Sequence, residues 1–189
     1  YEDLKSMTDA LPKVKLYRNL TNQDCYRNKM TAVSFSTNAW CILLDSDNVI
    51  KSDYLDAIYS VLEWMPDTFY IPEFAKPNFD FRAYSGKTFT KENIAEIIDK
   101  PMGETMLNTA NYFINKEGYL KVWDGKTDPV TSDSIYQSYN WLVNGNKIKV
   151  VPLMQYEHRV HKGSHFINNT NRTPKGFHES ILQKLRDLK

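Results

Sequence analysis

Five apolar residues in succession, Trp40-Cys41-Ile42-Leu43-Leu44, break off directly into Asp45-Ser46-Asp47-Asn48. A short uninterrupted apolar run marks a strand covered on both faces, as in a parallel sheet. The flanking patterns agree. Residues 27–37 place Met30, Val33, Ser34 and Thr37 on one face of a helix. Ser52 can N-cap a helix over 52–64, with Leu55, Ile58, Tyr59 and Leu62 at spacing i, i+3, i+4, i+7, and Pro66 stops it. Residues 13–17 (KVKLY) and 68–71 (TFYI) read as strands. The resulting β-α-β-α-β order predicts an α/β fold with a mostly parallel central sheet, right-handed crossovers and flanking helices.

After residue 78 the elements shorten, and a smaller mixed sheet is expected there. Residues 78–84 read as an extension of the sheet, 90–99 as a helix carrying Ile94, Ile97 and Ile98, and 109–115 as a strand. A helix over 134–143 turns Ile135, Tyr139 and Leu142 inward and ends at Asn144-Gly145. A strand starts at 147 and runs on through 150–156. Residues 163–176 have the composition of an exposed loop, and 176–188 read as a last amphipathic helix with Phe177, Ile181, Leu185 and Leu188. No repeat, low-complexity tract or linker divides the 189 residues, so one domain is expected over 1–189.

Charge narrows the partners. Lys plus Arg number 24 and Asp plus Glu 23, a net charge of +1. That balance argues against nucleic acid held by bulk charge and against a polybasic membrane surface. The chain has no run of about 18 apolar residues to span a membrane. Two cysteines, Cys25 and Cys41, are too few for a disulfide framework and fit reduced thiols. The opening residues, Tyr-Glu-Asp-Leu-Lys, are polar and acidic rather than leader-like. Sequons at Asn19, Asn168 and Asn171 are what an Asn-rich chain gives by chance. The expectation is a cytoplasmic protein.

Chemistry concentrates where the apolar run ends. Asp45 and Asp47 leave the carboxyl end of a strand, where open α/β sheets bind ligands. Paired oxygen donors there suit a hard divalent cation that keeps positions open for substrate phosphates. Asp-Ser-Asp-Asn is also good turn chemistry, so the pair needs company. Three of the 4 histidines supply it, in His158-Arg159-Val160-His161-Lys162-Gly163-Ser164-His165. Imidazole joins carboxylates around Mn2+, and Arg159 and Lys162 add cations for a diphosphate. Structural zinc is excluded, because no Cys pair accompanies the histidines. Asp133, at the start of the 134–143 helix, is either its cap or a general base facing the same cleft.

In chain order, Arg27-Asn28, a helix, Leu-Leu-Asp-Ser-Asp-Asn, an acidic helix start, Asn144-Gly145, a strand and a His resemble a nucleotide-sugar glycosyltransferase of the GT-A fold, family-2-like, across residues 13–165. The resemblance implies that family's Rossmann-like sheet. It maps the DXD motif onto Asp45, Ser46 and Asp47, and the Arg-Asn pair onto Arg27 and Asn28. The xED acid maps onto Asp133 behind Ser132, and the C-terminal metal-binding His onto His158, with His161 next. Implied with it is Mn2+ or Mg2+ as cofactor, held by Asp47 and His158, with Asp45 reaching the metal or the ribose. The donor would be a nucleoside-diphosphate sugar, a UDP-sugar favoured, and the acceptor a glycan or other hydroxyl. Asp133 would be the base of an inverting transfer. His161 and Ser164 are expected near the phosphates, Asn108 and Asn111 near the sugar or acceptor. Trp123 and Trp141 are expected on a sugar face or in the core.

Two features depart from that family. Ser132 stands where the xED motif has glutamate, which brings in Asp128 as the alternative base. Too few residues precede 13–17 to supply the β-α-β portion that opens the family's fold, so the chain is expected to be a fragment of a longer protein. The Leu-Leu-Asp-Ser-Asp-Asn run is similar also to haloacid-dehalogenase-like phosphatases, with Asp45 as nucleophile and Asp47 as acid–base. That motif, however, opens its domain and leaves the histidines idle. A non-catalytic carbohydrate-binding module is the third reading, and the combination of Asp45, Asp47 and His158 argues against it.

Overall fold

Strand β3 (Thr68–Lys76) lies parallel to β7 (Lys147–Glu157), paired from Thr68 opposite Lys147 to Lys76 opposite Glu157. This is a computed structural model, and it describes residues 2–109, 111–125, 129–159 and 161–188, with the backbone alone at 165 and 166. The first five residues of β3 are all buried, the pattern of a strand covered on both faces. The ladder is irregular at one step. Pro72 faces Val151, but Phe74 faces Gln155, so β7 carries an extra pair of residues, Pro152 and Leu153. Prolines stand on both strands here and neither can donate to the ladder. Leu153 takes a left-handed backbone (φ 64°) and points out.

Five further strands complete a mixed sheet of seven. They are β1 (Trp40–Ile42), β2 (Val49–Ile50), β4 (Phe79–Asp80), β5 (Thr88–Phe89) and β6 (Phe113–Asn115). The main order is β1-β6-β3-β7-β2, with β4 on β3 and β5 on β7. Every pairing except β3 with β7 is antiparallel. The expected mostly parallel sheet is therefore corrected to a mixed one. The physical cause is β6, which enters in reverse between β1 and β3. Being antiparallel to both, it leaves β1, β3 and β7 pointing the same way. The apolar run at 40–44 is also not central: β1 ends the strand order and is half-buried.

The strand expected over 13–17 does not form. A strand needs a neighbour to complete its backbone hydrogen bonds, and among the described residues none lies beside this segment. Instead Val14 N donates to Leu11 O in a turn, and the Tyr17 ring stacks on Phe35.

Nine helices form among the described residues: α1 (Glu2–Asp9), α2 (Asp24–Phe35), α3 (Ser52–Tyr59), α4 (Ala95–Ile98), α5 (Gly103–Asn108), α6 (Lys116–Lys121), α7 (Asp133–Val143), α8 (His165–Asn169) and α9 (Phe177–Arg186). The helix expected over 52–64 stops at Tyr59, because the Trp64 indole donates back to Ile58 O and folds the chain over its end. Its inward face is Tyr54, Ala57 and Ile58 rather than Leu55, Tyr59 and Leu62, which are exposed. The helical period was right and the phase was not. The helix expected over 90–99 shortens to α4, and the 163–176 loop contains α8. No described helix is long and apolar enough to cross a membrane.

Trp141 of α7 is fully buried, stacks on Phe69 at 3.9 Å and donates its indole N–H to Lys147 O. It is a core residue, which removes it from any sugar-facing role. Helices α4 and α5 meet at Gly103, where a Cβ would lie 1.9 Å from Ile97 O. Gly103→Ala must force two backbones apart. It should destabilise the protein by about 2–3 kcal/mol, read as a lowered urea midpoint at unchanged slope.

Candidate functional site

Because β1, β3 and β7 share a direction, the segments that leave their carboxyl ends collect at one edge of the sheet. After β1, Leu43 N still donates to Tyr112 O, and then the chain turns. Asn48 N donates to Asp45 O, closing Asp45-Ser46-Asp47-Asn48 into a tight turn. The turn is held from below. Asp45 N donates to Asn111 Oδ1 at 2.9 Å, and Asn111 O accepts from the Tyr54 hydroxyl at 2.7 Å. Asn111 is buried with φ 81°, a left-handed conformation that Asn tolerates better than most residues. The structure thus gives the Asn111 carboxamide oxygen to the Asp45 backbone. Asn108 Oδ1 likewise accepts from Ile135 N at 3.3 Å, joining α5 to the start of α7.

The histidines arrive through β2. Its two residues pair with Tyr156 and Glu157 at the end of β7, and Asn48 Oδ1 accepts from Arg159 N. This ties the Asp45–Asn48 turn to the segment after β7. His161 Nε2 then lies 3.3 Å from Asp47 Oδ2. Gly163 N donates to His161 Nδ1, which leaves the proton of a neutral ring on Nε2. His158 is half-buried against Phe79. Burial lowers its pKa below the ordinary histidine value, although Asp47 and Asp45 pull the other way. Its Nδ1 and the neighbouring Asn48 Nδ2 are buried without a hydrogen-bond partner among the described residues. Ser164 is half-buried and bonds through its backbone N to His161 O. Ser46, Arg159 and Lys162 are exposed beside this cluster.

The third group comes from α7. Asp133 is buried at the helix start. The preceding turn is strained: Val130, a β-branched residue, has φ 53°. It is also clamped from α9. Ser132 Oγ lies 2.9 Å from His178 Nδ1, and His178 Nε2 lies 2.8 Å from Glu104 Oε1. Thr131 bonds to Thr173. Asp128, the alternative base, lies outside the described residues.

Sequence reasoning missed the residue that joins these groups. Lys29 Nζ lies 2.7 Å from Asp133 Oδ2, 3.6 Å from Asp45 Oδ1 and 3.4 Å from Ser134 Oγ. Burial opposes its charge, but the Asp133 and Asp45 carboxylates more than offset this and raise its pKa well above the ordinary lysine value. A signal existed: Lys29 borders the buried stripe of α2 (Tyr26, Met30, Val33). A lysine on an inward face requires a partner from elsewhere in the chain. Helix α2 is fixed against α7 by Tyr26, whose hydroxyl donates to Gln137 Oε1 and accepts from Asn140 Nδ2.

Arg27 and Asn28 open onto adjoining clefts that share Asn22, Gln23 and Asp24. Arg27, Tyr26 and Trp123 line one of about 150 Å³. Asn28 lines a polar one of about 600 Å³ with Asn19, Asn22, Arg18 and Arg172. Trp123 is partly exposed there.

Could this site hold a metal? Among the described residues no three His, Cys, Asp or Glu side chains form a ready-made cage. Mg2+ and Mn2+ at phosphate sites are held by one or two protein ligands and completed by substrate oxygens. Asp47 and a neutral His158 with an unpartnered buried nitrogen fit that kind of site.

Comparison with known families matches residues 2–125 to glycosyl transferase family 2. No curated protein matches the chain. The matched region holds α2, the Asp45–Asn48 turn and Asn111, and stops short of Asp133 and the histidines. It covers well over half of the 189 residues, and with it the chain belongs to glycosyl transferase family 2.

Proposed function

We propose that the chain is the catalytic domain of a metal-dependent glycosyltransferase. It moves a sugar from a nucleoside-diphosphate sugar, a UDP-sugar favoured, to a hydroxyl of a glycan or other acceptor, with inversion. One observation carries the reading: a single ammonium, that of Lys29, reaches both Asp45 and Asp133. The turn suited to a metal and the acid suited to a base therefore line one site. Family membership displaces the phosphatase alternative, and the convergence of Asp45, Asp133 and Lys29 argues against a merely carbohydrate-binding module. Two cysteines in 189 residues are too few for a disulfide framework, and we place the protein in the cytoplasm.

Asp47 and His158 would hold Mn2+ or Mg2+, with Asp45 turned to the ribose or the metal. When bound, such an ion neutralises the diphosphate leaving group. His161 stands beside the Asp47 carboxylate, and Ser164, Arg159 and Lys162 stand on the same segment for phosphate oxygens. Arg27 and Trp123 offer a cation and a ring face to the donor. Asp133 accepts the proton of the acceptor hydroxyl as its oxygen bonds to the anomeric carbon. The bond from that carbon to the phosphate oxygen breaks, and its electron pair leaves with the diphosphate.

A screen of sugar nucleotides for hydrolysis, with and without Mn2+, should identify one donor that is turned over slowly and only with metal. Calorimetry with UDP and GDP should show binding that disappears in EDTA; equal affinity without metal would sink the metal assignment. Asp47→Ala should weaken Mn2+-dependent UDP binding by more than about 100-fold, beyond what loss of an outer-shell partner costs. Asp133→Asn should leave that binding intact and lower kcat by about 10²–10⁴-fold. His158→Ala should weaken Mn2+-dependent binding more than His161→Ala does. The reverse order would make His161 the ligand.

A further inference from the structure

Lys29 is the most deeply placed cation near the site. Its side chain is 17% exposed and Asp133's is 11%. Tyr119 and Tyr112 border the ammonium, and burial raises the pKa of both hydroxyls, keeping them neutral. The anions facing Lys29 are thus Asp133 and Asp45. Removing an ammonium from water costs several kcal/mol, recovered only with good geometry and further hydrogen bonds. Here the geometry is good on one side and loose on the other. The 2.7 Å contact to Asp133 is a charge-assisted hydrogen bond, whereas 3.6 Å to Asp45 is attraction without a bond.

Resting on the reading of Asp133 as base, we infer that Lys29 is the positioning residue that sets this carboxylate for proton transfer and couples it to the Asp45 turn. Oδ2 is held by the ammonium, so the acceptor's proton goes to Oδ1. The longer contact to Asp45 is the adjustable one. A ligand that draws Asp45 toward itself leaves Lys29 wholly to Asp133, so loading of the donor side is felt at the base. The cation is carried on α2, which the Tyr26 hydrogen bonds fix to α7, so the Lys29 backbone and Asp133 move as one body. A misplaced base is costly even when everything else binds, since displacement by about 1 Å can cost 10²-fold.

The test sets Lys29→Met and Lys29→Arg beside Asp133→Asn, alone and combined. It uses the donor found by the hydrolysis screen for rate and UDP with Mn2+ for binding. Lys29→Met should lower kcat by about 100-fold and leave the UDP Kd within about threefold. Lys29→Arg, which keeps the charge, should recover the rate to within about tenfold of wild type. In the Asp133→Asn background, Lys29→Met should cost nothing more, because residues acting as a unit are not additive. Near wild-type kcat in Lys29→Met beside an inactive Asp133→Asn, losses that multiply, or a loss confined to UDP binding would each overturn the inference. Full activity in Asp133→Asn would overturn the base assignment instead. If Lys29→Met fails to fold, Lys29→Leu takes its place in every arm, since it too removes the donor to Asp133. Urea unfolding of the same single and double variants needs no donor. Non-additive midpoints are expected, and additive ones would refute the pairing.

Discussion

The parallel ladder between Thr68–Lys76 and Lys147–Glu157 is the constraint on which the other parts depend. It is the pairing that brings distant stretches of chain together in the same direction, so its ends define where loops with chemistry can gather. Strand β6 lies reversed against β3 and sets β1 in the same direction, with Asn111 at its approach beneath Asp45. Strand β2 folds back on the far end of β7 and carries the Asp45–Asn48 turn to His158 and His161. Two strands of two and three residues, too short to be stable alone, thereby place most of the polar side chains of the site.

Electrostatics then decides how these side chains stand. Asp45, Asp47 and Asp133 converge from two separate elements, and like charges in a half-buried cleft repel. The protein answers with Lys29 between two of them, while the His161 imidazole stands 3.3 Å from the third. Such ion pairs are weak grounds for stability, because desolvation consumes most of the attraction. Their value here is orientation. The Glu104–His178–Ser132 chain serves the same end, fixing from α5 and α9 the turn that leads into Asp133.

Much of this was legible from local pattern. The β1–α3–β3 succession, the inward faces of α7 and α9, and the apolar run ending in two aspartates follow from periodicity and turn chemistry. The illegible parts were those set by tertiary pairing. Residues 13–17 alternate like a strand but find no described neighbour. Helix α3 keeps its period and rotates its face because Tyr54 has a hydroxyl to place on Asn111 O. The reversed entry of β6 is invisible in a stretch that reads as a plain strand. Lys29, 104 residues from Asp133 in the chain, has no local partner to announce it. The fourth histidine, His178, stands apart from the cluster and has no motif around it, yet it touches the residue beside Asp133.

The irregular step in the central ladder carries a consequence for the histidines. Along a strand, neighbours alternate between the two faces of a sheet, so inserted residues act by parity. Pro152 and Leu153 are two, an even number, and the alternation resumes in step: Val150, Met154 and Tyr156 are all buried. A single inserted residue kept in regular extended backbone, with no bulge to absorb it, would have exchanged inside for outside over the rest of β7. Tyr156 would face solvent, and the chain would enter residue 158 from the wrong side of the sheet, away from Asp47. The length of the bulge is thus a counting rule. Substitutions at positions 152 and 153, or loss of both together, keep the alternation, whereas a change of one keeps the histidine segment facing the carboxylates only where a bulge absorbs the odd residue.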